Sequence, residues 1–185
     1  MSLSAQANPV LVLDTMVLSH FTLADRLDVL QDLLLDADCW TTQVVREELR
    51  AGSADHRELA VACEADWLTT AQLDTLDEVR CFTKWAARLG SGERDLGEAS
   101  VLAAAELRDG VAITDDRNAT QVARAHGARV HGTIWLLAGA CRDGKQTLTA
   151  AGNLIEALRA TDARLPCSGA EFPASPVSTT SYSHY

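Results

Sequence analysis

The sequence predicts an α/β fold around a parallel sheet, on three observations. Two short apolar runs, partly β-branched, stop abruptly at acids: residues 10–13 before Asp14, and residues 111–114 before Asp115 and Asp116. Such runs suit strands buried on both faces. The stretches between carry apolar residues at helical spacing and close on glycines such as Gly52, Gly90, Gly110 and Gly127, the residue that best stops a helix. Strands that alternate with helices pair in parallel, because each crossover needs a helix to span it.

The elements follow in order. A polar lead over residues 2–9 ends at Pro9 and enters the strand at 10–13. Helical spacing then covers 16–23 and 27–35. A short strand is expected at 39–41, and a helix at 42–51 before Gly52. Another helix spans 57–65, with a short strand at 67–70. Residues 73–89 read as mostly helical, closing at Gly90. A polar, glycine-bearing loop at 91–97 leads into an alanine-rich helix at 98–108. After the strand at 111–114 comes a helix at 119–126 and a last short strand at 129–131. Two closing helices lie at 134–141 and 148–159. Three of the four prolines, Pro166, Pro173 and Pro176, fall late in the chain, with a Ser/Thr/Tyr-rich end. That composition suits an extended or disordered tail. The expected organisation is one domain over 8–160 and a tail over 161–185.

With 185 residues, 47% of them hydrophobic and 23% charged, one soluble domain can bury its core without disulfides. No apolar run approaches the ~20 residues of a membrane span. No basic start precedes an apolar stretch and a cleavage site, so a cytoplasmic location is expected. The formal net charge of −10 argues against holding nucleic acid by bulk electrostatics. Residues 1–80 carry 15 acids against 5 bases, so the whole excess lies there. Five cysteines are widely spaced, without C-x-x-C or zinc-ligand spacing, and read as reduced thiols.

The acids carry the chemistry. Asp14, Asp115 and Asp116 follow strands directly, and ligands of open parallel sheets gather outside the carboxyl ends of the strands. An Asp there is also a natural N-cap. In the helix at 42–51, Val44, Val45 and Leu49 define the apolar stripe. Glu48 falls inside it and Glu47 points away. A carboxylate in such a stripe is costly unless it is paired, wet or bound to metal. Glu98 shares the inward face of its helix with Leu102 and Ala105. Asp95-Leu96-Gly97-Glu98 also matches a capping box. Several carboxylates converging on one spot repel, and a divalent cation removes that penalty. Oxygen-only ligands suit Mg²⁺ or Mn²⁺ over zinc.

At these residues the chain resembles the PIN-domain nucleases, especially the VapC-like ribonuclease toxins of bacterial toxin–antitoxin pairs. Four stretches carry the likeness: Val10-Leu-Val-Leu-Asp14-Thr15, Val44-Val-Arg-Glu-Glu48-Leu-Arg-Ala-Gly52, Gly97-Glu98-Ala-Ser-Val-Leu, and Ile113-Thr114-Asp115-Asp116-Arg117. Gly132-Thr133-Ile134-Trp135 looks like the turn into the family's last helices. The resemblance implies a three-layer α/β/α sandwich with a central, mainly parallel sheet of about 4–5 strands. It makes Asp14, Glu48, Glu98 and Asp116 the catalytic carboxylates, with metal on Asp14, Glu98, Asp116 and Asp115. Asp115 replaces or assists Asp116, and Asp95 is held in reserve. Glu98 stands where many members carry Asp. Thr15 and Thr114 are hydroxyl neighbours that orient waters or acids.

The implied activity is hydrolysis of RNA phosphodiester bonds with Mg²⁺ or Mn²⁺. The implied partners are a small antitoxin protein and a second copy of the chain in a homodimer. Arg46 and Arg117 are phosphate-contact candidates, with Arg50, Lys84, Arg88 and Arg94 also near the motifs. Both tyrosines lie in the tail, so a base-stacking platform looks poorly supplied. The alternative is a catalytically inactive PIN-like domain that binds protein or nucleic acid. A receiver-like module needs a lysine after a late strand, and neither Lys84 nor Lys145 follows one. A haloacid-dehalogenase-like phosphatase needs Asp where Met16 stands. Gly90-Ser-Gly92 follows a helix, which excludes a dinucleotide fingerprint.

Overall fold

A computed structural model describes residues 8–90 and 95–172 of the chain. Most of the lead, the first part of the 91–97 loop and the tail from 173 lie outside the described residues. Five strands form one sheet: β1 (Val10–Leu13), β2 (Asp38–Thr42), β3 (Thr69–Ala71), β4 (Val111–Ile113) and β5 (Val130–His131). The spatial order is β3-β2-β1-β4-β5, and every pair is parallel. The expected α/β class, with helices flanking a parallel sheet, is what the chain adopts.

The helices are α1 (Thr15–Leu23), α2 (Leu27–Leu33), α3 (Gln43–Gly52), α4 (Leu59–Cys63), α5 (Leu76–Leu89), α6 (Leu96–Leu107), α7 (Arg117–Ala125), α8 (Thr133–Arg142) and α9 (Leu148–Arg159). From β1 the chain steps outward one way to β2 and β3. It then returns to the other side of β1 for β4 and β5. Right-handed crossovers therefore place the two sets of connecting helices on opposite faces. In agreement, α5, α6 and α7 touch one another, while α1, α2, α8 and α9 make a second group. The alanine-rich α6 lies across β1, β2 and β4, since small side chains let its backbone come close. Leu102 on α6 and Leu11, Leu13 and Ile113 on the strands are fully buried, each contributing about 1.5–3 kcal/mol.

Several boundaries shift by two or three residues from expectation, two of them beside clear local contacts. α5 starts at Leu76, three residues late. Thr75 and Glu78 form a reciprocal capping box there, and Leu73 holds a left-handed φ of 56° that no helix admits. β3 starts at Thr69, two residues late, because the carbonyls of Ala65 and Leu68 accept from the Arg46 guanidinium at 3.0 and 2.8 Å. Residues 161–172, expected to belong to a tail, are packed: Ala163, Leu165, Cys167 and Phe172 are buried, and Gly169 N–H donates to Glu156 Oε1 at 2.6 Å.

Candidate active site

The strand order reverses at β1, whose neighbours β2 and β4 are reached in opposite directions. A crevice opens outside the carboxyl ends of strands at such a switch point. Asp14 stands at the end of β1, and Thr114, Asp115 and Asp116 at the end of β4. Local cap chemistry turns these acids into place. Asp14 Oδ1 accepts from Val17 N–H at 2.8 Å and so starts α1. Asp116 Oδ1 accepts from Ala119 N–H at 2.7 Å and starts α7. Both acids are thus N-caps through one oxygen only.

The second oxygen of Asp14 accepts from the Thr114 hydroxyl. Thr114 Oγ1 in turn accepts the Asp116 N–H at 3.1 Å. Asp14 is only 2% exposed. Burial pushes its carboxyl up to about 8, against the hydrogen bonds from Thr114 and Val17, and the charges of Asp115 and Glu98 add to the rise. The second oxygen of Asp116 accepts no hydrogen bond among the described residues.

Glu48 and Glu98 arrive from the helices. Glu48 is half-buried on α3 and Glu47 exposed. The Thr15 hydroxyl donates to Glu48 Oε2. A Cβ on Gly97 would stand 2.5 and 2.7 Å from the two oxygens of Glu48, so only glycine admits this carboxylate beside α6. Ser100 fastens that turn: its hydroxyl lies 2.6 Å from Thr42 Oγ1 and 2.7 Å from Gly97 O. Glu98 comes next. The capping box that residues 95–98 also match is not formed, for Asp95 makes no side-chain cap bond. The Glu98 carboxylate instead sits where burial, then Glu48, Asp116 and Asp95, raise its pKa.

Asp115 is engaged differently. Its Oδ1 accepts from Thr133 N–H at 2.8 Å and its Oδ2 from the Thr133 hydroxyl at 2.6 Å. A Cβ on Gly132 would meet Oδ1 at 2.5 Å. Both oxygens thus tie the β4 loop to the start of α8, and Asp116 is the acid of the pair left with an open oxygen. Thr133 and Gly97 are site residues that individual side-chain chemistry did not single out. Gly97 did stand in the quoted motif, and its contact with Glu48 is its meaning there.

Among the described residues, the ion pairs involve none of Asp14, Glu48, Glu98, Asp115 or Asp116. An all-carboxylate donor set without a compensating cation fits a hard divalent ion. Among the described residues, no three His, Cys, Asp or Glu side chains stand close enough together to hold one metal ion.

A PIN-domain family model matches residues 10–170. The chain belongs to the PIN-domain family. The match takes in every described strand, all these acids and the packed stretch beyond 160 as far as residue 170. No curated protein matches the chain. PIN domains are generally nucleases, and such nucleases typically use divalent metals on a nucleic acid substrate.

The basic residues expected near the motifs are distributed unevenly in this PIN domain. Arg46 is committed to structure. Its Nε donates to Thr70 Oγ1 at 2.6 Å, one Nη donates to the Cys63 carbonyl, and the other holds Ala65 and Leu68. Lys84 pairs with Glu106, and Arg88 lies 4.7 Å over the Trp85 ring. Both line a cavity of about 340 Å³ with Gly110 and Ala128, at the amino end of β4 and β5 and away from the acids. Arg94 lies outside the described residues. Arg50 and Arg117 are exposed, and Arg117 directly follows Asp116. No described helix is long and apolar enough to cross a membrane.

Proposed function

We propose that this PIN domain is a Mg²⁺- or Mn²⁺-dependent endoribonuclease that hydrolyses RNA phosphodiester bonds. One observation supports it above others: Asp14, Glu48, Glu98 and Asp116 gather at the topological switch point with no Lys or Arg of the described residues paired to them. A divalent ion held there supplies a Lewis acid for a phosphoryl oxygen and lowers the pKa of water. Asp14, Glu98 and Asp116 are the proposed ligands. Glu48, held by Thr15 and Gly97, closes the crevice on the α3 side. Thr114 holds Asp14 and the Asp116 backbone in one arrangement. Asp115 supports them by locking the β4 loop to α8. Arg117 is the proposed phosphate contact, and Arg46 drops out of that role.

By the VapC-like resemblance, the physiological role is the toxin of a toxin–antitoxin pair in the cytoplasm. A homodimer of the chain and a small antitoxin, with a basic side chain for the acidic crevice, complete the proposal. The test is cleavage of RNA by the purified protein with Mn²⁺, with EDTA and an Asp14→Asn variant as controls. Product that depends on Mn²⁺ and on Asp14 supports the reading. Equal product from wild type and variant defeats it. The open arrangement of the acids favours, as the second reading, a PIN domain that binds without cutting, and RNA binding without any product would establish that.

A further inference from the structure

β1 and β4 lead directly into acids, whereas β2 ends in two threonines, Thr41 and Thr42. Both are 0% exposed, as is Ser100 on α6. Successive strand residues point to opposite faces, and each threonine finds a different partner. Thr41 Oγ1 donates to the Leu13 carbonyl at 3.0 Å. That carbonyl shares a peptide with the Asp14 N–H, which donates to Ile113 O at 3.1 Å. The peptide in front of Asp14 is thus held from β2 on one edge and from β4 on the other.

Thr42 serves the second side. Its Oγ1 accepts the Val45 N–H at 3.2 Å and lies 2.6 Å from Ser100 Oγ. Ser100 donates its one proton to Gly97 O at 2.7 Å, so Thr42 is the donor of the hydroxyl pair. A relay therefore runs from the Val45 N–H through both hydroxyls to the Gly97 carbonyl. That carbonyl shares a peptide with the Glu98 N–H, and the Gly97 Cα packs against the Glu48 carboxylate. Local needs do not account for Ser100. The rest of the buried run over residues 99–105 is Ala, Val and Leu, alanine is the better helix former, and a buried hydroxyl is costly without a partner. Thr42 caps α3 through Val45 alone, so the cap does not call for Ser100 either.

We propose that Thr41 and Thr42, with Ser100, are positioning residues that set Asp14 and Glu98 at a fixed separation by holding the peptide in front of each. This role rests on the metal-dependent ribonuclease reading above and deepens it: the two proposed ligands come from β1 and α6, and one dipeptide at the end of β2 anchors both.

The test titrates Mn²⁺ into the protein without RNA, reads free Mn²⁺ by its electron paramagnetic resonance, and records urea unfolding beside it. Thr42→Val combined with Ser100→Ala removes both hydroxyls of the relay and leaves apolar groups of similar shape, a change nearly neutral for stability. The Mn²⁺ affinity of this double variant is expected to fall about 10- to 100-fold while its unfolding midpoint changes little. Thr41→Val is expected to lose affinity in the same range. Thr41→Ser and Thr42→Ser keep the hydroxyls and are expected to retain most of the affinity. Wild-type Mn²⁺ affinity in the double variant or in Thr41→Val overturns the proposal. So does loss of that affinity in the folded serine variants, an outcome open even where a valine variant fails to fold. If wild type binds Mn²⁺ and cleaves RNA while every variant matches it, the positioning role alone falls. If wild type binds Mn²⁺ without cleaving RNA, the ribonuclease reading falls and the same affinities still decide the positioning role. If wild type neither binds Mn²⁺ nor cleaves RNA, both fall.

Discussion

Thr114 donates its hydroxyl to the buried carboxylate of Asp14, across 100 residues of chain. The same oxygen accepts the Asp116 N–H, so one side chain sets two of the acids at the ends of neighbouring strands. Thr114→Val preserves the shape and removes both bonds, leaving buried polar groups unsatisfied. A destabilisation of about 1–3 kcal/mol is expected, with a fall in nuclease activity. Urea unfolding beside a cleavage assay checks both.

Asp14 carries a pH signature. Its carboxyl titrates near 8 when folded, against an ordinary value of 3.8. Between those values the folded chain holds a proton that the unfolded chain has released. Metal-free stability therefore falls as pH rises, by up to about 1.4 kcal/mol per unit. Asp14→Asn does not titrate. The variant is expected to match wild type near pH 4, to gain on it up to about pH 8 and then to level off. Mn²⁺ is expected to stabilise wild type more than the variant, since the ion binds the deprotonated carboxylate. Urea unfolding across this pH range, with EDTA or Mn²⁺, reads both effects. A variant weaker than wild type at high pH in EDTA would contradict the burial argument.

Gly97→Ala tests the contact with Glu48. Alanine within a helix ordinarily stabilises by roughly 0.5–1 kcal/mol. Here the new methyl group must displace the Glu48 carboxylate and its bond from Thr15. Thermal stability is expected to hold while cleavage falls at least about tenfold, the loss that a displacement on the order of 1 Å brings in a tuned site. A fully active alanine variant would show that Glu48 has no role.

Two arginines are expected to separate structure from binding. Arg46→Met removes the four donors' bonds to Cys63, Ala65, Leu68 and Thr70. Stability is expected to drop about 2–4 kcal/mol, with RNA affinity unchanged under native conditions. Arg117→Ala is expected to leave stability within about 0.5 kcal/mol. RNA affinity should weaken, and the slope of log affinity against log salt should lessen by about one. Filter binding at several salt concentrations distinguishes the two.

The sequence by itself determined what acts over a few residues. Apolar runs and their terminal acids marked β1 and β4, cap chemistry set Asp14 and Asp116 at helix starts, and helical periodicity turned Glu48 inward and Glu47 outward. The tertiary structure decided every partner that lies far along the chain. Thr133, 18 residues on, takes both oxygens of Asp115. Carbonyls 17 to 22 residues on claim Arg46 and delay β3. The missing capping box at 95–98 leaves Glu98 to the crevice. Periodicity and capping are short-range and written in neighbouring residues. A hydrogen bond between distant residues exists only once packing brings its two halves together.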